Sequence, residues 1–185
     1  MENNDVLRMF RYALNIPDLT MLNIFKIAEC KIDGPQLLNL LKKRDDEGYA
    51  ACSTALLERF FNGLIIYNRG RQGYETSESN EKSMERGKFT DSKPTLKTER
   101  EASDGKNSQP KPPEILSNNT ILKKIRIALD LKQEEMMEIF RLGKVNMTKG
   151  EFTALFRKEG HKNYKECGDQ YLKKFLQGLA ARHRS

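Results

Sequence analysis

Tryptophan is absent from this chain, histidine occurs twice and cysteine three times. Cys30, Cys52 and Cys167 are odd in number and form no Cys-x-x-Cys pair, which argues against a disulfide framework or a zinc site. Reduced thiols in a cytoplasmic protein fit this usage. Long apolar runs are also missing. Leu64–Tyr67 is typical of what there is, far short of the roughly 20 residues that span a bilayer, so no membrane association is expected. The opening MENNDVLRMF has neither a basic segment nor an apolar core, so it does not read as a secretory signal. There is no glycine-rich phosphate loop, no Gly-x-Ser-x-Gly elbow and no His-Glu-x-x-His. These absences remove the best-marked enzyme classes and point to a non-enzymatic protein with no cofactor.

What the chain does have is itself, twice. Asn3–Gly70 and Asn118–Ser185 align at a constant offset of 115, without a gap over 68 residues and with eighteen identities. Duplication explains an ungapped match of that length. The openings read NNDVLRMFRYALN and NNTILKKIRIALD, the middles MLNIFKI and MMEIFRL. Near the ends, Tyr49, Cys52, Phe60 and Gly63 return as Tyr164, Cys167, Phe175 and Gly178.

Within each copy the apolar residues recur at helical spacing and strand-like alternation is absent. In the first copy the pattern predicts helices over 4–14, 18–29, from the Asp33-Gly-Pro35 turn to about Lys43, and from Ser53 or Thr54 to about Gly70. Asn3 and Asn4 read as N-cap residues. In the second copy it predicts 119–130, 132–143, 148–158 and 168–182. Thr148 and Glu151 have capping-box spacing, and Glu134 and Glu135 lie in a first turn. The expected fold is all-α: two tandem four-helix repeats, 1–70 and 118–185, partly helix-turn-helix-like, joined by a long disordered linker over 71–117. That intervening segment is dominated by Glu, Lys, Ser, Thr and Gly, with Pro94, Pro110, Pro112 and Pro113. It cannot bury enough apolar surface to offset its ordering entropy. As a flexible coil it would span roughly 35–40 Å, which allows the repeats to pack in cis or within a homodimer. Gly63 and Gly178 fall mid-helix, where glycine costs about 1 kcal/mol against alanine. A close backbone approach, between the copies or within one, would offset that cost.

The blocks NNDVLRMFRYALN and LFRKEGHKNYKECGDQYLKKFLQGL together resemble the YehS-like family of small bacterial proteins, built from a tandem domain of unknown function. The likeness covers both copies and leaves out the linker, which is longer than expected for that family. It implies a bacterial cytoplasmic protein with two related helical domains. It brings no activity and no catalytic or binding residues.

Charge separates the two copies. Residues 1–70 carry nine basic and nine acidic side chains, 71–117 also nine and nine, and 118–185 fifteen and eight, so the whole net charge of +7 lies in the second copy. Such a difference between copies of one fold points to an anionic partner for the second. Leu122–Leu131 followed by Lys132-Gln-Glu-Glu-Met136 resembles the opening of phage-repressor-type helix-turn-helix domains. Two departures stand against it: Met137 fills a position that is usually small, and Gly143–Met147 is longer than the tight turn of that motif. On this reading nucleic acid, DNA in particular, would meet Lys149, Thr153, Arg157 and Lys158 of the third helix, with Lys123, Lys124 and Arg126 of the first helix adding phosphate contacts. The alternatives are an adaptor whose basic copy meets an acidic protein surface, ordinary solvated helix faces, or an enzyme with an unrecognised site in the Arg44–Cys52 and Glu159–Cys167 loops. His161, and the trio Asp45, Asp46 and Glu47, are weak candidates for metal, since neither has regular ligand spacing. Cys52 and Cys167 read as buried structural thiols.

Overall fold

Local hydrogen bonding sets where most of the helices begin. Asp33 and Gln36 bond reciprocally, the Asp33 carboxylate accepting from the Gln36 N–H at 2.8 Å and Gln36 Oε1 from the Asp33 N–H at 3.0 Å. Thr148 and Glu151 repeat that exchange at 3.2 and 3.0 Å. Glu135 accepts the Lys132 N–H at 2.9 Å, and Ser53 and Ser117 accept the N–H groups of Leu56 and Thr120. Each satisfies an amide that a helix start leaves without a partner. The computed structural model describes residues 1–83 and 116–184. Among them the order is α1 (Asn3–Leu14), α2 (Asp18–Ile27), α3 (Gly34–Leu40), α4 (Thr54–Ser83), α5 (Asn118–Ala128), α6 (Gln133–Leu142), α7 (Lys149–Leu155) and α8 (Asp169–Arg184), with no strand.

Two sequence expectations need correction. Asn3 and Asn4 do not cap α1. Glu2 holds that position with no side-chain bond, and Asn4 is buried. The linker does not begin as coil at residue 71, because helical backbone resumes after a break at Gly70 and runs to Ser83. Gly70 has φ 74° and ψ 168°, a conformation that glycine adopts without a Cβ clash. The remainder of the predicted linker, 84–115, lies outside the described residues.

The repeats interlock. α1 lies chiefly along α8 of the other repeat and α5 along α4, while α1 with α4 and α5 with α8 touch little. α2 then packs on α4, and α6 on α8. One continuous apolar cluster runs through both repeats. In the first it centres on Phe10, Phe25, Phe60 and Phe61, with ring centroids 5.2–6.1 Å apart, and in the second on Phe140 and Phe175 at 4.9 Å. Such tilted and edge-on rings add to the area they bury.

Gly63 marks where α2 crosses α4, and Gly178 where α6 crosses α8. A Cβ at Gly63 would overlap the Ile24 carbonyl oxygen and come within 3.1 Å of Ala28 Cβ. One at Gly178 would overlap the Ile139 carbonyl and stand 2.8 Å from the Gly143 amide nitrogen. Both glycines therefore admit a neighbouring backbone from their own repeat.

The contact between repeats has its own identical pair. Arg184 donates to the Tyr12 carbonyl at 2.9 Å and stacks 4.0 Å from the Tyr12 ring. Its counterpart Arg69 donates to the Ile127 carbonyl at 3.2 Å and pairs with Asp130 at 3.0 Å, and Asn68 adds a bond to the Ala128 carbonyl. Each repeat's last helix thus closes the carbonyl end of the other's first helix.

Candidate nucleic-acid interface

The loop that leads from the third helix to the last is tied to the first helix by two adjacent asparagines: Asn3 and Asn118 donate to the Cys52 and Cys167 carbonyls at 3.0 and 2.9 Å, and the asparagine after each makes four bonds. In repeat 2, Asn119 Nδ2 donates to the Leu155 and Lys165 carbonyls at 2.7 and 2.9 Å, while its Oδ1 accepts from the Cys167 N–H at 2.9 Å and the Tyr164 hydroxyl at 3.1 Å. In repeat 1, Asn4 makes the same four bonds with Leu40, Ala50, Cys52 and Tyr49 at 2.8–3.1 Å. All four hydrogen-bonding positions of each amide are used. This network explains the recurring tyrosines, while it uses only the backbone N–H of the recurring cysteines, whose side chains are buried. Burial pushes the Cys52 thiol up to about 11 and Cys167, with Asp169 nearby, up to about 12. Both remain thiols at neutral pH, without the thiolate that nucleophilic attack requires.

This scaffold sets where the basic residues stand. Lys149 and Thr153 are exposed on α7, Arg157 is half-buried just past its end, and Lys158 is exposed. The Thr153 hydroxyl is occupied, donating to the Lys149 carbonyl at 2.8 Å. Lys123 is half-buried on α5, one turn beyond Asn119, so it stands on the side of α5 that is tied to the end of α7. Two of the residues expected at phosphates are instead engaged in packing. Lys124 reaches across to α4, 2.6 Å from Asn62 Oδ1 and 3.5 Å from Glu58. Arg126 donates to the Leu131 carbonyl at 3.2 Å and lies over the rings of Phe156 and Phe152 at 5.3 and 6.0 Å. Their partners are distant in sequence, or require a fold to bring them near, which is why charge alone read them as surface.

Comparison of the repeats shows a residue that reasoning from helix faces overlooked. Repeat 1 has Asp5, Asp45, Asp46 and Glu47 where repeat 2 has Thr120, Gly160, His161 and Lys162. Lys162 is exposed in the loop after α7. Of the acids on this side, Glu151 is engaged by Lys165 at 3.2 Å and by the Thr148 N–H, which with Lys165 holds its carboxyl below the usual range. Glu159 and Glu166 remain as exposed acids in the loop. His161 sits in an exposed turn with Nδ1 accepting the Asn163 N–H at 3.1 Å, and Asp46 accepts the Lys43 N–H at 2.8 Å. Among the described residues no three His, Cys, Asp or Glu side chains converge as a metal site would require.

The helix-turn-helix likeness stops at α6. Gly143 to Thr148 separate α6 from α7, longer than the three or four residues of that motif. α7 itself spans seven residues. A cavity of about 710 Å³ lies in repeat 1 between α2 and α3, lined by Leu22, Cys30 and Ile32 among others. Among the described residues no helix is long and apolar enough to cross a membrane.

The chain belongs to the family described as "Protein of unknown function (DUF1456)", whose model matches residues 3–70 and again 118–185. It is 33% identical to the "Uncharacterized protein YehS" of Escherichia coli (strain K12) over 182 residues, 98% of this chain and 96% of that protein. No solved structure matches.

Proposed function

We propose that this protein binds nucleic acid, DNA in particular, through the α5–α7 side of repeat 2. The observation that carries the reading is the position of the charge. The excess of +7 falls in one repeat of two. Once Lys124, Arg126 and Lys165 are assigned to packing and ion pairs, Lys149 remains at the start of α7, with Lys123, Arg157 and Lys162 beyond its other end. Their chemistry suits a phosphate backbone, which needs cations at the surface and no shaped pocket. With α7 only seven residues long and reached through the Gly143–Thr148 connection, the reading is one of backbone binding with little sequence discrimination.

The test is a fluorescence titration of the full chain with labelled duplex and single-stranded oligonucleotides at low salt. If those four cations meet phosphate, affinity falls on the order of 100-fold between 50 and 200 mM salt, at about 0.9 of a log unit per contact. Lys149→Glu with Arg157→Glu abolishes binding and leaves helix content unchanged. No binding at micromolar protein, or binding that survives the double variant, overturns the reading. Equal binding to polyglutamate would move the assignment to an acidic protein surface.

A further inference from the structure

The two halves of the contact between repeats differ at one place. Where α5 meets α4, Lys124 lies 2.6 Å from Asn62 and 3.5 Å from Glu58, with its side chain 16% exposed. The corresponding place between α1 and α8 has Met9 opposite Lys173, beside a cavity of about 330 Å³ that Asp5, Arg8 and Asp169 also line. At the repeat offset, Met9 corresponds to Lys124, and Glu58 and Asn62 correspond to Lys173 and Gln177.

We infer that the inter-repeat face is a selective pairing surface: repeat 2 takes repeat 1 as its partner and rejects a second repeat 2, and the selecting contact is Lys124 against Glu58 and Asn62. Any two repeats joined through this face would reuse the same positions, residue 9 or 124 of one first helix against 58 or 173 of the other's last helix. A mixed pair gives Lys124 its carboxylate and sets Lys173 against a thioether. Two copies of repeat 2 would set Lys124 against Lys173 twice, and with Lys124 only 16% exposed that repulsion is less screened than between two free surface cations. Two copies of repeat 1 would place Met9 beside Glu58 twice and leave that carboxylate without its cation. Only the mixed pair gives Glu58 its cation without setting one lysine against another, and selection of this kind works mainly by penalising the wrong pairing.

The experiment uses the full chain with a protease sequence placed within 84–115, folded first and then cut. Native mass measurement should find the halves together, one to one. After unfolding in urea and dilution they should return as mixed pairs, with repeat-2 homopairs suppressed roughly 100-fold by the two like-charge juxtapositions. Lys173→Glu supplies the missing carboxylate for a repeat-2 homopair. It should raise those homopairs at least about tenfold without altering the helix content of the uncut chain, because Lys173 is exposed. A statistical mixture of pairs from the wild type, an unchanged proportion with Lys173→Glu, or halves that part and unfold on cutting would each overturn the inference.

Discussion

Asn119→Ala tests how much of each repeat hangs on one amide. The side chain is 3% exposed and makes four hydrogen bonds. Its removal leaves the Leu155 and Lys165 carbonyls, the Cys167 N–H and the Tyr164 hydroxyl without that partner. The tyrosine is half-buried and can turn to water, so two or three groups carry the full cost. At about 1–3 kcal/mol for each buried group left unsatisfied, the loss is about 3–5 kcal/mol. That is a large part of the ~5–15 kcal/mol holding a typical protein together. In urea, with a slope of about 2 kcal/mol/M, the midpoint should fall by about 1.5–2.5 M. Asn4→Ala should behave alike, because its four bonds are the same. Tyr164→Phe, which removes one bond, should cost about 1 kcal/mol. An Asn119→Ala midpoint within about 0.5 M of wild type, or no larger a shift than Tyr164→Phe, would refute the claim that the asparagine fastens the loop to α5.

Gly63→Ala and Gly178→Ala should each destabilise by about 1–3 kcal/mol, since a single methyl meets the Ile24 or Ile139 carbonyl. Gly150→Ala, on α7 with its nearest contact at 3.9 Å, should be neutral or stabilise by about 0.5–1 kcal/mol. Thermal melts of the three compared with wild type decide it, and equal effects at all three sites would count against close crossing. The buried thiols predict alkaline sensitivity. Their folded pKa values, about 11 for Cys52 and about 12 for Cys167, lie above the unfolded value near 8.5. Their contribution is therefore complete below about pH 8.5 and is lost as pH rises toward the folded values, by about 1.4 kcal/mol per unit for each thiol. Urea midpoints from pH 8 to 10 should fall less steeply in Cys52→Ala/Cys167→Ala than in wild type, and parallel slopes would show that the thiols ionise freely in the fold.

The helices and the duplication were legible because they depend on neighbours in sequence. Asp33 with Gln36 and Thr148 with Glu151 are three residues apart, and both bond as their spacing predicts. Asn4 failed the same reasoning because its partners are Leu40, Ala50 and Cys52. A statistical preference for helix starts holds no information about carbonyls that the tertiary fold delivers. Gly63 and Gly178 were readable as close approaches, but not for which backbone they admit. At the candidate interface the charge excess was plain, and Lys149 and Thr153 stand exposed on α7 as the helical period places them, while α7 ends before Lys158. Arg126 was not separable from them, since its stacking on Phe156 is a property of the packed repeat. Lys162 needed the comparison of one repeat with the other.

The cross-closing arginines also set a timetable. The Tyr12 carbonyl at the end of α1 accepts the Asn15 N–H locally, but its second donor, Arg184, lies 172 residues further along the chain. At synthesis rates of about 5–20 residues per second, that interval is about 10–35 s. Through that time α1 has no α8 to lie against, and the faces of α1 and α4 that meet repeat 2 stay open to water and to neighbouring nascent chains. Repeat 1 can form its helices as it emerges, but its burial is completed only when the last turn of α8 has been made.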